Sequence, residues 1–507
     1  MKRRIARQLA KRNRRIASRL AEAPRKDAGP TLPTTKTTYE MGERVRAISH
    51  GGLGAAHQLV ARLGLEGRID EAVEVLKVHR PYHESDHVLN IAYNALCGGR
   101  TLDDIELRRN DEVHLDALGV EAIPDPTTAG DFCRRFDEEA VEALTDAINE
   151  TRLEAWKAQG GEFLDQIARI DVDGTIVPTS AECTEGMGMS YKGIWGHHPL
   201  IVSLANTGEP LYLRNRPGNV RSRQGAAPYL DRAIALCRRG GFERILLRGD
   251  TDFSQTTHLD GWDADGVGFI FGYDARANLK ATANELQPSE YAELQRRAKR
   301  AFVPEQERRA KPKRVKEAIV RERQYKNIRL KSEDVAEFDY RPLACNKTYR
   351  MVVLRKNLSV ERGENVLFDD IRYFFYITNR WDLSAEQVVF ESNDRCNQEN
   401  LIAQLKSGVR ALHAPLNTLM ANWAYMVMVA LAWSIKAWMA LALPISPRWR
   451  KRHRADRDRW LRMEFRTFLG AVINVPAQIV TTGRRRIFRL LAWRPELPTL
   501  FRLIGAT

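Results

Sequence analysis

Three short stretches of this sequence carry acidic residues where packing alone gives little reason for them. In RIDVDGTIV, Asp171 and Asp173 stand two apart in a β-branched run. The period-2 geometry of a strand puts both carboxylates on one face. An unpaired buried carboxylate is costly, and a bound cation offsets that cost. In RILLRGDTDF, Asp250 closes an otherwise apolar run, with Asp252 two residues on. The C-terminal end of such a strand is where ligand sites form in open α/β sheets. In NDRCNQENLIAQLK, Arg395, Glu399 and Lys406 fall at i, i+4 and i+11, along one face of a helix. An acid flanked by two bases can hold a metal while the bases hold phosphates. Three carboxylates on separate segments suit two divalent ions about 4 Å apart, and hard oxygen ligands favour Mg²⁺ or Mn²⁺. The competing assignment makes these acids caps, turn residues and surface pairs. Their distribution over strand, strand end and helix favours the metal site.

The elements that must position this trio follow from periodicity. From Ile167 the pattern turns from helical to strand-like: IARIDVDGTIV, PLIVSLANTG and EPLYLRNRPG read as strands closed by glycine turns. APYLDRAIALCRRGG reads as a helix ended by glycines, and RILLRGD and GVGFIFGYD as two buried strands. Strand, strand, strand, helix, strand, strand is the order of an RNase H-like fold. This predicts the first part of a catalytic core over residues 161–274 and its second part over 385–445. A basic, strand-rich subdomain is predicted as an insertion over 275–384, containing the run QRRAKRAFVPEQERRAKPKRVKEAIVRER. Residues 37–160 read as an all-helical, DNA-binding domain. Within it, TTAGDFCRRF after a short turn fits either a helix-turn-helix presenting Arg134 and Arg135 to DNA or an ordinary helical bundle. Residues 1–36 form a basic arm with a Pro/Thr linker. The tail, 446–507, reads as basic helices, including PRWRKRHRADRDRWLRMEFRTFL and GRRRIFRLLAWR. Trp449, Trp460 and Trp493 there suit either core anchoring or stacking on bases.

Composition sets the partners. The 507 residues include 80 Lys plus Arg against 65 Asp plus Glu, a net charge of +15. That is the electrostatic footprint of a polyanion-binding protein. The six cysteines lie far apart with neither C-x-x-C pairs nor zinc-like spacing, which argues against a disulfide scaffold and a structural zinc. The basic N-terminus has no apolar core of a secretory signal, pointing to a reducing cytoplasm. AYMVMVALAWSIKAWMALAL, Ala424 to Leu443, is long enough for a membrane span but contains Ser434 and Lys436. It reads as a buried core helix, and no membrane partner is expected.

These residues resemble the DDE insertion-sequence transposases of DDE domain group 1, whose RNase H-like core carries a β-rich insertion. DVDGT is similar to their first-strand motif, which assigns the catalytic Asp to Asp173 and leaves Asp171 open as a further ligand. RGDTDF is similar to the second motif and assigns Asp250. The third motif runs Tyr, Arg, Glu, Lys at spacings that Arg395, Glu399 and Lys406 reproduce. Its tyrosine position is Ser392, a departure that bears on the handling of DNA ends. IPDPTTAGDFCRRF, HHPL and LRNRPGN extend the likeness, which covers most of the chain from Gly51 to Trp438. The resemblance implies a transposase that binds the terminal inverted repeats of its element, cuts there with water, and joins the 3′-OH to target DNA. Asp173, Asp250 and Glu399 would hold Mg (or Mn); Arg395 and Lys406 would contact phosphates. It also implies double-stranded DNA as partner, a homodimer in the synaptic complex, and a bacterial, cytoplasmic, nucleoid-associated protein. The alternatives are an RNase H-like nuclease without strand transfer and a catalytically inactive, transposase-derived DNA-binding protein.

Overall fold

The computed structural model describes residues 3–21, 37–39, 45–79, 81–295, 319, 322–324, 326–362, 365–483 and 485–505. The Pro/Thr linker and most of the basic run that begins at Gln295 lie outside the described residues. The chain is mixed α/β, organised on one nine-stranded sheet. In chain order the strands used below are β1 (Ala47–Ile48), β2 (Ile167–Gly174), β3 (Val177–Pro178), β4 (Gly188–Met189), β5 (Trp195–His197), β6 (Leu200–Leu204), β7 (Glu209–Arg214), β8 (Arg244–Gly249) and β9 (Gly268–Tyr273). They are followed by β10 (Ala292–Glu293), β11 (Lys326–Tyr340), β12 (Tyr349–Arg362), β13 (Asn365–Thr378), β14 (Ala477–Thr482) and β15 (Arg485–Leu490).

The large sheet runs β10-β11-β12-β13-β9-β8-β2-β6-β7. β2 pairs antiparallel with β6, and β6 with β7, while β2, β8 and β9 are mutually parallel neighbours. The strands and helix of the 167–273 region thus form where their periodicity puts them. The three long strands after residue 325 do not make a separate sheet: β13 pairs antiparallel with β9 and prolongs the same one.

Alternation along β2 sorts its side chains. Ala168, Ile170 and Val172 pack with Leu230, Ala233 and Cys237 of the helix Ala226–Arg239. Arg169, Asp171 and Asp173 therefore face the other side. There Leu246, Ile270, Val352 and Leu354 pack under Val388 and Val389 of the helix Ala385–Asn393. The helix expected to carry Arg395, Glu399 and Lys406 on one face is interrupted at Asp394 and Arg395, so Arg395 precedes a second helix. That helix, Cys396–Ala403, runs into a π-helical turn, Gln404–Gly408.

One helix among the described residues, Leu419–Leu441, is long and apolar enough to cross a membrane by length and composition, and its apolar window is wholly buried in the protein. It is apolar all round because it is surrounded by protein all round. Its tryptophans close the sheet edge: Trp433 Nε1 donates to Gly208 O at 2.7 Å and Trp423 Nε1 to Leu213 O, both beside or on edge strand β7. Carbonyls of an open edge are thereby satisfied. Buried Glu209 on β7 accepts from Arg152 Nε at 3.0 Å, Trp156 Nε1 at 3.2 Å and Trp438 Nε1 at 2.8 Å, locking the helix Glu138–Lys157 to the same edge. Lys436 points into this core, donating to Leu461 O at 2.8 Å with its ammonium 4.0 Å from the Trp433 ring centre.

The tail corrects the all-helical expectation. PRWRKRHRADRDRWLR does form the helix Arg450–Arg462, but GRRRIFRLLAWR does not. It supplies β15, paired with β14 across a turn at Gly483, whose φ is +55°. The β-branched run IVTT before that glycine and the alternation of Ile487 with Phe488 and arginines favour a hairpin. β14 also pairs with β1, tying the tail to the N-terminal region. Trp460 is fully buried, donating to Glu496 at 2.8 Å, and anchors the core, whereas Trp449 is exposed.

Candidate active site

Parallel register brings two of the predicted acids together. In the β2–β8 pair, Asp171 lies opposite Arg248 and Val172 opposite Gly249. The next residue on each strand, Asp173 and Asp250, therefore stands at the same C-terminal edge, on strands about 4.8 Å apart. Asp250 caps the short turn Thr251–Phe253, accepting from Asp252 N at 3.0 Å. Asp173 Oδ1 accepts from Gly174 N at 2.8 Å, leaving Oδ2 to Arg395 Nη1 at 3.2 Å.

Electrostatics mark both carboxyls. Burial pushes Asp173 up to about 6; Arg395 pulls it back and Asp250 pushes it further. Burial also raises Asp250, again against the pull of Arg395. One guanidinium thus serves two carboxylates that would otherwise repel each other. Lys406, in the π-helical turn, is lowered by burial and by Lys192 while Asp173 raises it, so it too belongs to this cluster. Two buried carboxyls at the ends of adjacent strands are a donor set that fits a hard divalent ion.

Asp171 has a different fate. It is buried and accepts from Arg248 Nε at 2.7 Å and Nη2 at 2.9 Å, a bidentate pair. Glu391 continues the network through Arg248 and through both Nε and Nη2 of Arg169 at 2.9 Å. Glu399 lies one turn beyond Arg395 in the first turn of the helix Cys396–Ala403 and is exposed. Among the described residues no hydrogen bond or ion pair joins it to Asp173 or Asp250. Gln398 beside it is buried and donates to Ile201 O at 3.1 Å, which fixes that helix against β6. Arg134 and Arg135 stand elsewhere, exposed after the helix Pro126–Cys133; Arg134 is held by Asp131 at 2.7 Å and Asn417 at 3.1 Å.

Sequence reasoning missed Arg248, His198 and Lys192. The signal for Arg248 was its charge inside an apolar strand immediately before Gly249-Asp250. His198 packs so closely on the backbone beside Asp173 that a Cβ at Gly174 would come within 2.8 Å of its Nε2. A side chain at that position would force the His198 ring to move. Lys192 lies on the turn between β4 and β5, flanked by Tyr191 and Gly193, and Met189, Tyr191, Ile194 and Trp195 around it are exposed.

The chain matches the family model Transposase DDE domain group 1 over residues 40–505, and it belongs to that family. No curated protein matches it. Among solved structures it is similar to the piggyBac transposase synaptic complex with hairpin DNA, at 9% identity over 84% of this chain and 82% of that one, with a TM-score of 0.38.

Proposed function

We propose that this chain is an active DNA transposase that binds the terminal inverted repeats of an insertion sequence, cuts at the ends, and joins the 3′-OH to target DNA. The observation that carries this reading is the in-register placement of Asp173 and Asp250 at the ends of adjacent parallel strands, with Arg395 paired to Asp173 and attracting Asp250. The sheet order β9-β8-β2-β6-β7 with only β6 reversed against both neighbours supports an RNase H-like core. The long strands β11–β13 would be its insertion.

Asp173, Asp250 and Glu399 would hold Mg²⁺ or Mn²⁺, which when bound supplies Lewis-acid activation of the attacking and leaving oxygens. Asp173 comes to the reaction on a rigid central strand, oriented by the Gly174 amide. Asp250 is oriented by the turn it caps. Arg395 and Lys406 would neutralise phosphate oxygens flanking the scissile bond, the first as a planar fork and the second as a point charge. Arg395 must exchange Asp173 for phosphate as DNA enters, so its present ion pair holds the two carboxylates in place without DNA. Arg134 and Arg135, exposed on the helical region, would add sequence-independent phosphate contacts. A homodimer would bring the two ends together, in the nucleoid of a bacterial cytoplasm.

The test is cleavage of a duplex carrying the element's own terminal repeat, with Mg²⁺, by wild type and Glu399→Gln. The reading expects wild type to cut at the repeat and join a labelled 3′-OH end to target, and the variant to bind without cutting. Cleavage without joining would make the chain a nuclease; equal behaviour of the two proteins would remove Glu399 from the site.

A further inference from the structure

Far from the carboxylates, His50, Cys97 and His114 converge. His50 follows β1, Cys97 ends the helix Glu84–Leu96, and His114 belongs to the helix Glu112–Leu118. One ligand atom of each lies within 4.8 Å of the other two, and all three residues are buried. His50 Nε2 is 2.8 Å from His114 Nδ1, and Ser49 Oγ is 3.1 Å from His50 Nδ1. Burial is the first cause holding both imidazoles far below their ordinary range, at about 3 and about 4, so both are neutral. A pocket of about 450 Å³ is lined by His114 and Arg108, so the trio is approached from its His114 side, while His50 and Cys97 do not line it.

We infer that His50, Cys97 and His114 form a binding site for a zinc-class divalent ion, with a pocket water completing four ligands. Two imidazoles and a thiolate are borderline-to-soft donors, the set that selects zinc over the hard ions suited to Asp173 and Asp250. On binding, the Cys97 thiol releases its proton and a metal–sulfur bond forms, with no change of redox state. The surrounding charges are mixed: Arg108 opposes a cation at both imidazoles, while Asp111 favours one at His114. The site would be a clamp. β1 pairs with β14, so an ion here fastens the hairpin β14–β15, with Arg485, Arg486 and Arg489, to the helical N-terminal region.

The experiment uses the full-length protein, stripped by chelator and titrated with Co²⁺ as spectroscopic probe. One equivalent should produce a thiolate-to-cobalt charge-transfer band that Zn²⁺ then abolishes by displacement. Cys97→Ser should lose the band, whereas Cys133→Ser and the double variant Asp173→Asn/Asp250→Asn should keep it, separating this site from the carboxylates. As a second readout that needs no variant, Zn²⁺ should slow alkylation of Cys97 in wild type, followed by mass spectrometry during partial denaturation, more than that of buried Cys133 and Cys237. A wild type without the band, a band that survives in Cys97→Ser, or equal protection of the three cysteines would overturn the assignment.

Discussion

Asp171 and Asp173 are neighbours on one face of one strand, yet they sit in two opposite environments. At the lower level, Asp171, Arg248, Glu391 and Arg169 form a network in which the aspartate's oxygens take two guanidinium hydrogen bonds. One step up, Arg395 makes one hydrogen bond to Asp173 and only a longer-range attraction to Asp250; burial raises all three carboxyls, Asp171 included, so the levels differ in hydrogen-bonded partners. The closed level uses charge to fix strand β2 against β8 and the covering helix. The open level leaves its carboxyls with fewer hydrogen-bonded partners and shifted titration, a pattern that marks functional-site candidates. Asp171 is the more buried of the two, and it is also the one held by a bidentate arginine.

The comparison can be broken most severely at the closed level. Arg248→Met strands a buried carboxylate and should cost about 3–5 kcal/mol in urea unfolding. Adding Asp171→Leu should recover much of that loss, because two apolar side chains replace a pair instead of leaving half of one.

At the open level the sign reverses. Asp173 has its carboxyl raised from an ordinary 3.8 to about 6 in the folded protein. The native state therefore holds more protons than the unfolded chain between these values, and stability falls as pH rises through that window. In metal-free protein, Asp173→Asn should raise stability by up to about 3 kcal/mol at pH near 8, and the gain should fade as pH drops toward about 4. Thermal melts across that range check it; a destabilised variant at high pH would show that Asp173 is as well satisfied as Asp171.

A smaller effect sharpens the contrast with the apolar core. Burial lowers Lys436 from 10.5 to about 7, so its cost to folding is full below that value and is lost as pH rises toward the ordinary lysine range. Lys436→Met should therefore gain about 1–2 kcal/mol at neutral pH and little near pH 10, its lost hydrogen bond to Leu461 O limiting the benefit.

Much of the central sheet was legible in the sequence because its signals are local. A β-branched run with glycine stops makes β2, and an apolar run ending in Gly249-Asp250 makes β8. What separates Asp171 from Asp173 is not local. It depends on parallel register, which sets Arg248 opposite Asp171, and no periodicity states which strands pair. The tail was misread for a related reason: arginine is a good helix former, and the pairing of β14 with β1, more than four hundred residues away in sequence, overrode that propensity. The break at Asp394 and Arg395 likewise hid inside a helical pattern. The convergence of His50, Cys97 and His114 had no motif at all, since three separate elements supply it.

Asp173 and Asp250, not Asp171, are the ligand pair proposed above. Calorimetric titration of Mn²⁺ into full-length wild type, Asp171→Asn, Asp173→Asn and Asp250→Asn, with the zinc-class site presaturated, tests it directly. The account predicts at least about a tenfold loss of affinity in Asp173→Asn and Asp250→Asn, and near-wild-type binding in folded Asp171→Asn. Loss in Asp171→Asn with retention in Asp173→Asn would contradict it.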